Sequence, residues 1–405
     1  MSAIVSASLR AIYDSRGRET VEATVTAEGG HVGRAGAPSG ASTGRHEVRA
    51  FPPGGVPAAL ARFHSGLEGR LLGMENDPSL VDALLHEVDG TPDFSVVGGN
   101  VATAVSIATA VSRAAETGVP LWRTVRRAGV EGGHFPAVVG NCLNGGRHAI
   151  GGPDIQEFLA FSPAPKPADA VRAAIAVHAA VGETLQRKYP KHALGRGDEG
   201  GWVAPVGNLE ALEILVGACQ EVTDRLHVPV HPALDLAASE FYRDGKYRYK
   251  EQTLDDEGQL GFLTGLVDRF GLRYVEDPFD QEAFDLSARF TQAVGSRTLV
   301  VGDDLYTTST ERLRRGVERR STNSILIKVN QVGTLTDTLR TVDEARRHGV
   351  STITSHRSGD LPEGWLAHLA VGFGSAGLKC GLLGGERVAK LNELLRLGAA
   401  TGTTE

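Results

Sequence analysis

Five short stretches decide the fold: HPALDLAAS (231–239), LRYVEDPF (272–279), RTLVVGDDL (297–305), NSILIKVNQ (323–331) and VSTITSHRS (350–358). Each is an apolar run of strand length that ends on charged or polar residues. Amphipathic stretches such as GQLGFLTGLVDRF (258–270) and TLTDTLRTVDEARRHG (334–349) separate several of them. Such alternation predicts a parallel sheet with crossover helices, and its repetition over about 270 residues favours closure into a barrel over an open sheet. In such barrels the chemistry sits where the strands end.

The segment upstream has a different rhythm. VEATVTAEGGHVGRAGA (21–37) alternates apolar and polar residues around a glycine pair, the pattern of a β-hairpin. PAALARFHSGLEGRLLG (57–73), PSLVDALLHEVDG (78–90) and the alanine-rich NVATAVSIATAVSRAAE (100–116) then carry helical periodicity. The expected organisation is an α+β domain over residues 1–127 and an α/β barrel over residues 133–405.

Composition narrows the classes of function. With 41% hydrophobic and 22% charged residues in 405, the chain has the make-up of an ordinary globular protein. A formal net charge of −7 and the lack of a long Lys/Arg block argue against nucleic acid as a partner. Cys142, Cys219 and Cys380 are odd in number, far apart and without CxxC spacing, which disfavours a disulfide framework or a zinc site and suits a reducing cytoplasm. The longest uncharged run, Phe94 to Ser112, is interrupted by Gly, Asn, Ser and Thr, so a tightly packed helix is expected there and no membrane span.

Three of the strand-like runs end in acids: Asp235, Glu276 and Asp303. A single strand-end Asp is commonly a helix N-cap. Three in register at one barrel mouth form a set of hard oxygen ligands suited to Mg2+. Lys328 lies within an apolar run, where a lysine is paired or given a task, and crowding by cations is one way to lower its pKa and make it a base. Arg357 and Ser358 suit a phosphate or carboxylate clamp. PSGASTG (38–44) has the composition of a mobile loop, NGGRHAIGGPDIQEF (144–158) brings His148 and Glu157 near the barrel, and RGDEGGW (196–202) brings Asp198 and Glu199. Those two acids read equally as cation ligands, a proton donor or a solvated turn.

Together these pieces resemble the enolase family along nearly the whole chain. YDSRGRETVEATV (13–25), PSGASTG, VDGTPD (88–93), NGGRHA (144–149), DIQEF (154–158), GDEGGWVAP (197–205), ALDLAASEFY (233–242), VEDPFD (275–280), GDDL (302–305), ILIKVNQVGTLT (325–336), SHRSGD (355–360) and GLKCG (377–381) stand in the family's order. The resemblance implies an enolase-type (β/α)8 barrel behind a small α+β domain. It implies a cytoplasmic hydro-lyase that interconverts 2-phospho-D-glycerate, a small phosphorylated acid, and phosphoenolpyruvate with two Mg2+ ions per site. Asp235, Glu276 and Asp303 match ligands of one ion and Ser42 a ligand of the second. Lys328 matches the general base with Lys379 beside it, and Glu199 the general acid paired with Glu157. His148, Gln156, His356, Arg357 and Ser358 match substrate contacts, the last two through phosphate. Removing a proton α to a carboxylate piles charge onto a group already negative, and enolase-superfamily sites meet this with a Lys or His base and one or two Mg2+.

On this resemblance Lys328 is expected to be held neutral by the cations and Lys379, and Glu199 to be kept protonated by the like charges of Glu157 and Asp198. Gly200 and Gly201 are expected to let the backbone approach the substrate, with Trp202 as packing. Glu22 and Arg396 match positions that pair across the family's dimer, so a homodimer is implied. Three segments depart from the family pattern. CGLLGGER (380–387) stands where Gly-Ala-Pro usually leads into Arg-Ser-Glu-Arg, AFPPGGVP (50–57) replaces a charged stretch, and YTTST (306–310) replaces Thr-Asn-Pro. They keep open an enolase-like enzyme of a biosynthetic pathway acting on a related phosphorylated or phosphonylated three-carbon acid, such as the one that forms carboxyphosphonoenolpyruvate. A non-catalytic scaffold would lack part of the acid, base and metal set, and no member is missing.

Overall fold

The computed structural model describes residues 2–41, 43–130, 134–149 and 151–403. The chain opens with a three-stranded antiparallel sheet of β1 (Ile4–Tyr13), β2 (Glu19–Ala27) and β3 (His31–Gly36). The expected hairpin is β2–β3, which turns through Gly29 and Gly30, both at positive φ where glycine carries no Cβ penalty. Helices Gly55–Arg62, Pro78–Asp89 and Gly99–Thr117 follow, with a short π-helical turn at Phe63–Leu67. The second starts where Asp77 accepts a hydrogen bond from Ser79 N ahead of Pro78 and ends on left-handed Gly90.

Most of the long uncharged run falls in the helix Gly99–Thr117, and its lack of charge has a packing cause. One face lies so close to β3 that a Cβ on Gly33 would fall 1.9 Å from Ala108 O. The barrel covers another: Thr103 Oγ1 donates to Gly333 O at 2.8 Å, and Ser106 Oγ accepts from Leu335 N at 2.9 Å. Small residues permit the close approach, and the hydroxyls satisfy loop peptides that would otherwise be buried without partners. Among the described residues no helix is long and apolar enough to cross a membrane.

Eight strands close the barrel: Ala137–Asn144, Glu157–Ser162, His231–Asp235, Tyr274–Glu276, Leu299–Gly302, Ser324–Ile327, Ser351–Ser355 and Gly377–Gly381, the last pairing back onto the first. The five stretches quoted at the outset supply the third to the seventh. The sheet is not wholly parallel, as the alternation predicted. The second strand runs antiparallel to both neighbours, because residues 145–156 join it to the first without the crossover helix that a parallel neighbour requires. This inversion is what brings Glu157 to the mouth. Although it begins its strand, it lies opposite Asn144 and Asp235, which end theirs, and Asp235 lies opposite Glu276. Beneath this rim Val139, Leu159, Tyr274, Leu326 and Ile353 fill the barrel interior. The three cysteines are buried free thiols.

Candidate active site

The rim side chains line a small buried cavity that includes His148, Gln156, Glu157, Glu199, Asp235, Asp303, Lys328, His356, Arg357, Ser358 and Lys379. A larger groove lies elsewhere, between Val111–Leu121 and Trp365, and contains none of the strand-end acids.

On the acidic side, Lys379 Nζ lies 2.8 Å from Asp235 Oδ2, 2.8 Å from both Glu276 oxygens and 3.3 Å from Glu157 Oε1. Burial opposes its charge, but Asp235, Glu157 and Glu276 together hold it protonated well above the ordinary lysine range. Lys328 Nζ pairs with Asp303. Burial again opposes the charge, and Asp303 outweighs it, so the ammonium form is favoured. Asp303 thus acts against the neutral Lys328 that the sequence suggests, while Arg357 and Lys379 act toward it. Negative charge is still in excess: burial and the neighbouring Asp235 push Glu276 up to about 8. Gln156 Oε1, Glu157 Oε2 and both ring nitrogens of His148 are buried without hydrogen-bond partners.

Uncompensated carboxylates and orphaned polar atoms on one wall fit a hard divalent cation with an oxygen-rich ligand. The three predicted ligands do not form one tight cluster, since the two lysine ammonium groups lie among them. The tight groups are His148–Glu157–Glu199 and Asp277–Asp303–Asp304. In the second, Asp277 accepts hydrogen bonds from Asp303 N (2.9 Å) and Asp304 N (2.7 Å) and so shapes the loop that presents Asp303. Ser42 lies outside the described residues.

The two acids of RGDEGGW separate. Asp198 turns outward, 2.9 Å from Arg16 Nε, and does not act on Glu199 as the sequence suggested. Glu199 turns inward and is 4% exposed. Its Oε2 accepts from Asn141 Nδ2 at 3.2 Å and lies 3.1 Å from His356 Nε2, while Oε1 lies 3.8 Å from His148 Nε2. Burial alone would raise its pKa, but His356, His148 and Arg387 outweigh burial and hold the carboxyl well below its ordinary range. Burial and the Glu199 charge push Glu157 well above its own. The two shifts run in opposite directions, Glu157 up and Glu199 down. Their oxygens lie within 4.8 Å of each other. Burial lowers His356 to about 4 against the opposing pull of the Glu199 charge, which favours the neutral ring; of its holds on Glu199, the hydrogen bond from Nε2 is the one a neutral ring keeps.

The glycines have a packing role in the loop. Gly200 sits at φ +81°, where a Cβ would fall 2.4 Å from Leu383 O, and a Cβ on Gly201 would fall 2.6 Å from Asn141 Oδ1. Without side chains they let the loop lie against the first strand and the turn after the last. Trp202 is packing, as expected: its ring fills the space beside Gly182, and Nε1 donates to His178 O at 2.9 Å.

At the basic end, both Arg357 terminal nitrogens reach Glu47, at 3.0 and 3.1 Å, and Nη1 also donates to Asn330 Oδ1 at 3.0 Å. Glu47 accepts from Gly44 N as well (3.0 Å), and Ala41 N donates to Ser358 Oγ (3.2 Å), so the described part of the PSGASTG loop lies across the Arg357–Ser358 clamp. Sequence reasoning missed Glu47, which in TGRHEVRA reads as a solvated charge, and Arg387, which reads as an ordinary first-turn helix residue. Asn141 and Asn144 had a visible signal, being polar in the otherwise apolar strand AVVGNCLN (137–144).

Comparison with known proteins agrees with this architecture. The family described as "Enolase, C-terminal TIM barrel domain" matches residues 134–405, and "Enolase, N-terminal domain" matches residues 4–125. The enolase of Methanothermobacter thermautotrophicus is 44% identical over 98% of this chain and 96% of its own length. That of Halobacterium salinarum is 44% identical over 98% and 99%, and that of Picrophilus torridus 40% identical over 97% and 98%. With family matches spanning both regions and relatives of this similarity along its length, the chain belongs to the enolase family.

Proposed function

We infer that the protein is an enolase, a hydro-lyase that interconverts 2-phospho-D-glycerate and phosphoenolpyruvate. The observation that carries this reading is that a lysine, a carboxyl pair and an arginine–serine clamp line one buried cavity: Lys328, Glu157 with Glu199, and Arg357 with Ser358. In the proposed roles Arg357 and Ser358 bind the phosphate, while His148, whose ring nitrogens lack hydrogen-bond partners, and Gln156, whose Oε1 lacks one, orient the rest of the substrate. Lys328 takes the proton from C2. The nearby Arg357 and Lys379 charges favour its neutral form once the hold of Asp303 is relieved. Glu199 gives a proton to the departing 3-hydroxyl, Glu157 being the donor that recharges it, and in the reverse direction the Glu199 carboxylate takes a proton from water.

Asp235, Glu276 and Asp303 are proposed to hold one Mg2+, with Ser42 serving a second. When bound, Mg2+ supplies positive charge against the carboxylate that becomes doubly charged as C2 loses its proton. The biosynthetic alternative is not favoured, since the whole-length relatives above are named enolase. Residues 1–127 and 133–405 are proposed as the two domains, and the cytoplasm and glycolysis as the setting. A homodimer through Glu22 and Arg396 is also proposed. Within the chain the largely covered Glu22 lies 2.7 Å from Arg10 and 3.5 Å from Arg34, while the exposed Arg396 lies 2.6 Å from Glu393. The test is ultraviolet detection of phosphoenolpyruvate formed from 2-phosphoglycerate, with Mg2+ and with chelator. Product that requires Mg2+ is expected, and its absence at high protein concentration would overturn the reading.

A further inference from the structure

Arg387 closes CGLLGGER, one of the segments that depart from the family pattern, and its side chain is fully buried at 0% exposure. Its Nη1 donates to Arg357 O at 2.6 Å, and its Nη2 donates to Ser358 O at 2.6 Å and to Asp198 O at 2.9 Å. One guanidinium thereby ties together the backbone of the phosphate clamp and the loop that carries Glu199. Asp360 Oδ2 supplies the countercharge at 3.3 Å and is shared with Lys390 at 3.0 Å.

A further contact has chemical content. Arg387 Nη1 lies 2.7 Å from His356 Nδ1, and Gly381 N points at the same atom from 3.3 Å. A guanidinium and a peptide N–H can only donate. His356 Nδ1 must therefore present its lone pair, which leaves the single ring proton on Nε2, 3.1 Å from Glu199 Oε2.

We propose that Arg387 is a positioning residue that fixes His356 as its neutral Nε2–H tautomer, so that Glu199 always faces an N–H donor. This rests on Glu199 as the proton carrier. A lone pair at Nε2 would compete with the substrate hydroxyl for the Glu199 proton, and an imidazolium would hold Glu199 ionised and unable to act as an acid. A neutral donor does neither, so Glu199 gains and loses its proton while the ring beside it stays unchanged. The charged groups that face the ring are Glu199, Arg387 and Asp360. A third ring state would require Arg387 to withdraw, and with it three backbone anchors.

The test is nitrogen-15 NMR of the full-length protein labelled at histidine, with the His356 signals identified by their loss in His356→Asn. The expected wild-type spectrum has an unprotonated Nδ1 and a protonated Nε2 throughout pH 6 to 8. With the signals identified in a folded His356→Asn, a protonated Nδ1, or an imidazolium at pH 7, would overturn the proposal whether or not the Arg387 variant folds. In Arg387→Lys, which cannot span the same acceptors, the His356 signals should shift toward a tautomer mixture or begin to titrate in that range. Its kcat should fall by about tenfold or more with a smaller change in KM. Unchanged His356 signals in that variant would also overturn it. The tautomer is read without substrate, so failure to form phosphoenolpyruvate would refute the assigned reaction and leave this inference standing or falling separately.

Discussion

Replacing Glu199 with Gln separates the two halves of the proposed reaction. The side chains are nearly isosteric, and the glutamine oxygen can keep the His356 Nε2–H, 3.1 Å from the carboxylate in the native site. That oxygen also keeps Asn141 Nδ2, 3.2 Å from the same Oε2, so the new amide nitrogen takes the Oε1 place, 3.8 Å from His148 Nε2. A buried donor without an acceptor at hydrogen-bond distance costs about 1–3 kcal/mol, so a lowered but cooperative melting transition is expected. Loss of a positioned acid removes about 10²–10⁴ in rate, or roughly 3–5 kcal/mol of transition-state stabilisation, from the step in which the hydroxyl departs. Lys328 is untouched, so removal of the C2 proton should stay within about tenfold of wild type. The assay incubates 2-phosphoglycerate in deuterated water, measures deuterium at C2 of recovered substrate by mass spectrometry, and follows phosphoenolpyruvate by absorbance. The ratio of exchange to elimination should rise by about 10² or more. Equal losses in both would show that Glu199 is not the acid.

Other consequences are open to simple measurement. Gly200→Ala forces a left-handed residue to carry a Cβ 2.4 Å from Leu383 O. It should lower stability by about 2–4 kcal/mol and kcat with it, and an unchanged melting curve would contradict the packing described. Lys379→Met leaves Asp235, Glu276 and Glu157 without their ammonium, a loss of about 3–5 kcal/mol. Its melting deficit should be larger in chelator than in Mg2+, and no deficit in chelator would count against the acid cage. Asp82, 1% exposed, is pushed from 3.8 up to about 6, chiefly by burial. The folded state therefore binds its proton more tightly than the unfolded chain, and the stabilisation is complete below pH 3.8 and lost as pH rises through 6. Asp82→Asn escapes this loss, so its stability relative to wild type should grow by about 2 kcal/mol between pH 4 and pH 7 in denaturant titrations. A difference independent of pH would refute it.

The barrel was legible because five of its strands carry their own start and stop signals, and the strand-end acids Asp235, Glu276 and Asp303 marked the rim before any coordinates did. The inversion of the second strand was not legible from alternation, because periodicity does not encode direction. Only the missing crossover helix between Asn144 and Glu157 does. The positions of protons were the least legible feature. Asp198 and Glu199 are neighbours in sequence, but successive side chains turn to opposite sides, one to Arg16 and the other to His356. Arg387 and Glu47 gave no signal, since a charged residue among Gly or His reads as solvated until tertiary structure buries it.

The most direct test of Lys328 as the base is loss of C2 proton exchange in Lys328→Ala, measured on 2-phosphoglycerate in deuterated water with Mg2+, alongside circular dichroism to establish folding. A folded variant should show exchange reduced by at least about 10²-fold together with loss of phosphoenolpyruvate formation. Exchange at near wild-type rate in a folded Lys328→Ala protein would contradict the assignment.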